Sequence, residues 1–159
     1  MATATEQIQQ LLQEIGPRMP EIDAIVQTEE PSWAIQFSDD IVILLEAADN
    51  PPRMVISAEL GAVHDAQQRV LYETLLCYNL MWRTSGGVKI GLAGPQGTLI
   101  ISADICLDNL MLSKLQEEID KFLKITRCWV NYILQTEKNH AAELPPLPGM
   151  GAAGLNLQA

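Results

Sequence analysis

The side chains able to do chemistry are few, and their spacing does not bring them together. There are two histidines, His64 and His140. A histidine metal site or a nucleophile–histidine–carboxylate set needs partners converging on one point. His64 opens a helix-like segment beside Asp65, and His140 lies in a proline-rich tail, so His64 reads as a polar residue at a helix start. Gly91, Gly94 and Gly97 recur every third residue. A phosphate loop needs Gly-Lys-Ser/Thr after four spacers, whereas Thr98 follows Gly97 with no lysine. A dinucleotide fingerprint leads from a strand into a helix, and this segment returns to a strand. A hairpin turn is the reading that remains. The adjacent acids Glu29-Glu30, Asp39-Asp40 and Glu117-Glu118 diverge on a strand or a helix, so none forms an acid–base dyad by spacing. They read as solvated turns and faces. Cys77, Cys106 and Cys128 are odd in number, far apart and set in apolar runs, which predicts buried, reduced thiols. No cofactor, metal or catalytic residue is called for.

Composition points the same way. The 159 residues carry 20 acidic and 10 basic side chains, a formal charge of -10, and 48% are hydrophobic. That is one globular domain's worth of chain, long enough to bury a core unaided. The acidic excess argues against nucleic acid, whose binding depends on Lys and Arg, and against an anionic membrane surface. The first residues show no basic and apolar signal pattern. No apolar run is long enough to insert in a membrane.

The elements that must position any site follow from periodicity. Ile8, Leu11, Leu12 and Ile15 share one face of a helix over 6–15, with Thr5 as cap and Gly16-Pro17 as stop. Residues 22–28 form an extended approach. Trp33, Ile35 and Phe37 alternate with polar or small residues as a half-buried strand. After the Asp39-Asp40 turn, 41–45 is a continuous apolar run, read as a strand covered on both faces. Residues 54–60 form a third strand after the Pro51-Pro52 loop. A helix over 62–84 carries Leu71, Leu75, Tyr78 and Trp82 on one face. Val70, Leu76, Leu80 and Met81 widen its apolar surface beyond one contact, so a second cover, read as another subunit, is expected. Val88, Ile90 and Leu92 begin a hairpin that turns at 94–97 and returns over 98–105. A last helix over 108–135 bears Leu115, Ile119, Phe122, Thr126, Trp129 and Ile133. Residues 137–159 read as a flexible Pro/Gly/Ala-rich tail after a domain over 1–136. Pro145-Pro146-Leu147-Pro148 is read as part of that linker rather than as a polyproline ligand. The fold class is α+β, an antiparallel sheet flanked by three helices in the order α-β-β-β-α-β-β-α.

The surplus is apolar surface, which suits binding proteins better than turning over a substrate. From residue 70 to 133 the chain resembles the class I chaperones of bacterial type III secretion, the Tir/SycE/CesT-like family. The resemblance rests on the Leu-rich helix Leu71-Tyr72-Glu73-Thr74-Leu75-Leu76 and Asn79-Leu80. It continues through a glycine break, the Val-Lys-Ile-Gly-Leu hairpin, Gly97-Thr98-Leu99-Ile100-Ile101, and a long helix with Phe122-Leu123 and Trp129. It extends over about residues 5–136, and small size and acidity accord with it.

The resemblance implies a cytoplasmic bacterial homodimer that binds the N-terminal segment of a secreted effector. It would hold that segment extended, prevent its aggregation and deliver it for export, often through the secretion ATPase. An extended segment's ordering entropy would be offset by apolar side chains in grooves and by backbone pairing at a sheet edge. The expected effector groove is Ile8, Leu11, Leu12, Ile15, Trp33 and Ile35. By family analogy, the expected dimer contact is Leu76, Leu80, Val88, Ile90 and Leu92. Sequence alone does not separate core from interface at these positions. An interaction adaptor unrelated to secretion remains as the alternative reading.

Overall fold

The computed structural model describes residues 3–29, 31–95 and 97–138. Helix α1, Ala4–Ile15, begins with a capping box. The Glu6 N–H donates to Thr3 Oγ1 at 3.2 Å and the Thr3 N–H to Glu6 Oε2 at 2.8 Å. The cap is therefore Thr3 rather than the expected Thr5, because only Thr3 has a glutamate three residues on to answer it. Gly16–Arg18 closes the helix as a single 3-10 turn.

Four strands follow: β1 (Ile22–Glu29), β2 (Ser32–Phe37), β3 (Val42–Ala48) and β4 (Arg53–Gly61). Helix α2 (Gln68–Leu80), the hairpin β5 (Lys89–Leu92) and β6 (Leu99–Cys106), and helix α3 (Leu112–Lys138) complete the chain. All strand pairs are antiparallel, in the order β1-β2-β3-β4-β6-β5. The α+β class holds, but with six strands and four of them before α2. Residues 22–28, expected as an approach, are the edge strand β1. An edge strand is half wet, and Asp23, Gln27 and Thr28 blur its alternation.

One layer of helices covers one face of the sheet. Trp33, Ile35 and Phe37 of β2, Ile43 and Leu45 of β3, and Met54, Ile56, Ala58 and Leu60 of β4 point into a single core. From the helices come Ile8, Leu12 and Ile15, then Leu71, Leu75 and Tyr78, then Leu115, Ile119, Phe122, Trp129 and Ile133. Each such side chain contributes about 1.5–3 kcal/mol of burial. Trp129 locks α3 to α2, its ring edge-on to Tyr78 at 4.8 Å and to Tyr132 at 5.2 Å.

Three further expectations are corrected. The 41–45 run is covered on one face only: Ile43 and Leu45 are buried, while Val42 and Leu44 are exposed at 42% and 45%. Helix α2 is shorter than 62–84 and ends at Leu80, where the Met81 N–H bonds back to the Tyr78 carbonyl. Trp82 therefore lies beyond the helix, exposed, with Arg83 stacked on its ring. Cys77, Cys106 and Cys128 are exposed, each adjoining a buried residue, because one step along a helix or strand turns the side chain to the other side. Helix α3 starts at Leu112 and still includes Glu137 and Lys138. The rest of the expected tail, 139–159, with His140 and Pro145–Pro148, lies outside the described residues. At the β5–β6 turn Gly97 has to be glycine, since a Cβ there would overlap the Ala93 carbonyl.

Candidate functional site

Among the described residues no group of three or more His, Cys, Asp or Glu could hold a metal ion. No helix among them is long and apolar enough to cross a membrane. The candidate sites are therefore surfaces, and the sheet builds the first of them. Its outer face carries no helix among the described residues. Strand register lines up Val26, Ala34, Leu44, Ser57, Ser102 and Lys89 in one cross-strand row. In the adjoining row Gln36 pairs with Val42 and, across β4–β6, Glu59 pairs with Ile100. The face is thus apolar on its β1–β3 side, where Val26, Val42 and Leu44 are its exposed large aliphatic side chains, and polar where Ser57, Ser102 and Lys89 follow on β4, β6 and β5. Where β3 begins and β4 ends, a groove of about 560 Å³ opens at the rim of the sheet, lined by Val42, Leu44 and Ile100 from the outer face and by Val130 of α3 from the helix side.

Ion pairs fix the end of that groove. Arg127 of α3 donates from Nε to Asp39 Oδ2 at 2.6 Å and reaches Glu21 Oε2 at 3.4 Å. The Arg127 guanidinium holds the Asp39 carboxyl below the usual carboxylate range. The arrangement ties the β2–β3 turn to α3 and leaves Asp40, the second residue of the turn (φ 64°), facing solvent.

The second surface belongs to α2 and β5. Leu71, Leu75 and Tyr78 anchor α2 inward, so the opposite stripe faces out. Leu76 is 68% exposed, Leu80 82% and, on β5, Leu92 40%. Asn79 joins the two elements: its Nδ2 donates to the Ile90 carbonyl at 2.8 Å, and the Ile90 N–H donates to its Oδ1 at 2.9 Å. The side-chain amide occupies the backbone groups that a further strand would use at Ile90. The opposite edge, β1, has no such plug among the described residues.

The expected site residues divide sharply. Ile8, Leu12, Ile15, Trp33 and Ile35 lie in the core, and of that set only Leu11 is partly exposed. In this fold they support the sheet from beneath and do not line a surface groove. Val88 and Ile90 are also buried, whereas Leu76, Leu80 and Leu92 form an exposed patch. The reason is phase. Trp33, Ile35 and Phe37 set the inward face of β2, and strand pairing then sends Val42 and Leu44 outward. That signal was present in the alternation and was masked by the unbroken apolar run.

Three solved structures share the fold. A chain in the crystal structure of the ExsC–ExsE complex aligns with TM-score 0.67 and 17% identity, covering 81% of this chain and 95% of that one. A chain of the HopA1–SchA chaperone–effector complex aligns with TM-score 0.65 and 18% identity, covering 82% and 98%. The Yersinia pestis type III secretion chaperone SycH, solved with a stable fragment of YscM2, aligns with TM-score 0.55 and 17% identity, covering 79% and 98%. None of the curated proteins matches the chain in sequence. The Tir chaperone protein family model matches residues 8–129, spanning α1, the whole sheet and α3 as far as Trp129, and by that match the chain belongs to the Tir chaperone protein (CesT) family.

Proposed function

We propose that this protein is a cytoplasmic, homodimeric type III secretion chaperone. It holds the N-terminal segment of one or more effectors extended, prevents their aggregation and presents them for export. Membership of a chaperone family makes it a binding protein and not an enzyme. The observation that carries the reading is the pairing of two uncovered apolar surfaces on one small acidic domain. The stripe of Leu76, Leu80 and Leu92 receives a second copy. The outer sheet face around Val26, Val42 and Leu44 receives the effector, with β1 as the edge open to strand addition. The structures of the HopA1–SchA complex and of SycH with its YscM2 fragment support the effector reading by analogy of fold. Delivery through the secretion ATPase belongs to the same proposal.

Affinity capture from the native host, followed by limited proteolysis, tests this. The expected result is one bound protein, shielded over its N-terminal segment and lost when Leu44→Glu is introduced. A partner gripped through a folded domain, or one indifferent to Leu44→Glu, would favour an adaptor unrelated to secretion.

A further inference from the structure

The groove at the β3/β4 end of the sheet carries a charge pattern that the docking reading alone does not explain. Its floor is aliphatic, and the charged residues lining it are Asp39, Asp40 and Glu59, with no cation among them. Asp39 is taken by Arg127. Asp40 and Glu59 make no ion pair among the described residues, and both are exposed. Glu59 faces Ile100 across the β4–β6 pair. On β3, Val42 lies beyond the last β3–β4 pair, Ile43–Ala58, and lines the same groove. A carboxylate thus shares the groove with two aliphatic side chains.

An apolar occupant covering Val42 and Ile100 would strip water from the Glu59 carboxylate. Removing water from an unpaired charge costs more than the neighbouring methyl contacts return. The occupant must supply a cation at that point, and one with a carboxylate there would be excluded by repulsion. In an extended chain, residues i and i+2 share a face, so an aliphatic side chain on the floor and a cation two residues away meet both demands. We propose that this groove selects an extended effector segment carrying a lysine or arginine two residues from an aliphatic side chain, read by Glu59 with Asp40. The inference rests on the outer face being the effector surface.

The probe is a displayed library of random 16-residue peptides, panned on the full-length purified chain. Parallel panning uses Glu59→Lys, Asp40→Asn/Glu59→Gln and Leu44→Glu, each checked for an unchanged circular dichroism spectrum and melting profile. Peptides that need Leu44 should be enriched in Lys or Arg two positions from Leu, Ile or Val. The neutral double variant should lose that preference about tenfold, the scale of one partly desolvated ion pair. Glu59→Lys should select Asp or Glu instead. Peptides that need Leu44 but ignore the charge at 59 would keep the docking face and overturn the charge selection. Enrichment that Leu44→Glu leaves untouched would overturn the docking face, and this inference with it.

Discussion

Arg127 is the side chain through which charge and fold meet most directly. It pins the β2–β3 turn through Asp39, and its hydrogen bond lowers the Asp39 pKa. A carboxyl with a depressed folded pKa stabilises the fold above its unfolded value, and the contribution disappears as pH falls through the folded value. Both partners remain about a third exposed, so solvent screening limits the pair to under about 1 kcal/mol. Asp39→Asn should therefore lower stability slightly at pH 7, in urea unfolding at low salt. The difference should be constant above about pH 5 and close below the ordinary carboxylate pKa of 3.8. A gap that does not shrink at all between pH 5 and pH 3 would mean the loss is one of turn geometry and not of charge. Asn79 has the opposite character, since its amide is neutral and exchanges two hydrogen bonds with one backbone residue. Asn79→Ala leaves both the N–H and the carbonyl of Ile90 without their partner in a half-buried place, at a cost of about 1–3 kcal/mol. Asn79→Asp keeps one acceptor but sets a carboxylate against the Ile90 carbonyl, so it should do no better than alanine. Rescue by Asp would sink the two-bond account. Neither role was legible in the sequence, where Asn79 entered only within the family resemblance, because a lone Arg and a lone Asn carry no periodic signal and their partners lie 88 and 11 positions away.

At the level of elements, α2 is the informative one. Its buried stripe was legible from Leu71, Leu75 and Tyr78, and its surplus apolar width includes Leu76 and Leu80, which are exposed. Its ends were not legible, since residues 62–67 and 81–84 are helix-compatible in composition, but 62–64 are irregular, Asp65–Gln67 is a single 3-10 turn and 82–84 form a turn. The strands show the same division. Alternation fixed β2, yet β1 was obscured by its wet edge and β3 by an apolar run that hid which alternate residues face out. Ile8, Leu12, Ile15, Trp33 and Ile35, expected in the effector groove, are buried in the core, and core and interface use the same residue types. The exposed α2 stripe yields a direct test. Leu76→Glu/Leu80→Glu should convert the protein to monomers in sedimentation velocity while leaving the circular dichroism spectrum unchanged, because neither side chain contributes to the core. Leu75→Glu, which buries a charge beneath the same helix, should instead unfold it. An unchanged dimer in the double variant would move the self-association surface elsewhere.

On the scale of the whole molecule, the net charge of -10 separates the two surfaces. Two copies that meet through leucines bring like charge together, so their association is opposed at long range by repulsion that salt screens. A segment that brings a cation to Glu59 and Asp40 is drawn in by the same field, and salt weakens that attraction. The two equilibria should therefore respond to ionic strength with opposite sign. Between about 50 and 500 mM NaCl, a range over which screening shortens from beyond 10 Å to a few ångströms, the self-association constant should tighten several-fold. Affinity for a basic, aliphatic segment should fall by a similar factor. Sedimentation equilibrium reads the first and fluorescence anisotropy of a labelled peptide the second. A dimer that loosens in salt would mean that ion pairs, and not Leu76, Leu80 and Leu92, join the copies. A peptide affinity flat across the range would leave the docking face to its aliphatic floor alone. The acidic excess then has two consequences: it keeps two sticky surfaces from nonspecific association, and it ranks the segments that reach the sheet by their charge.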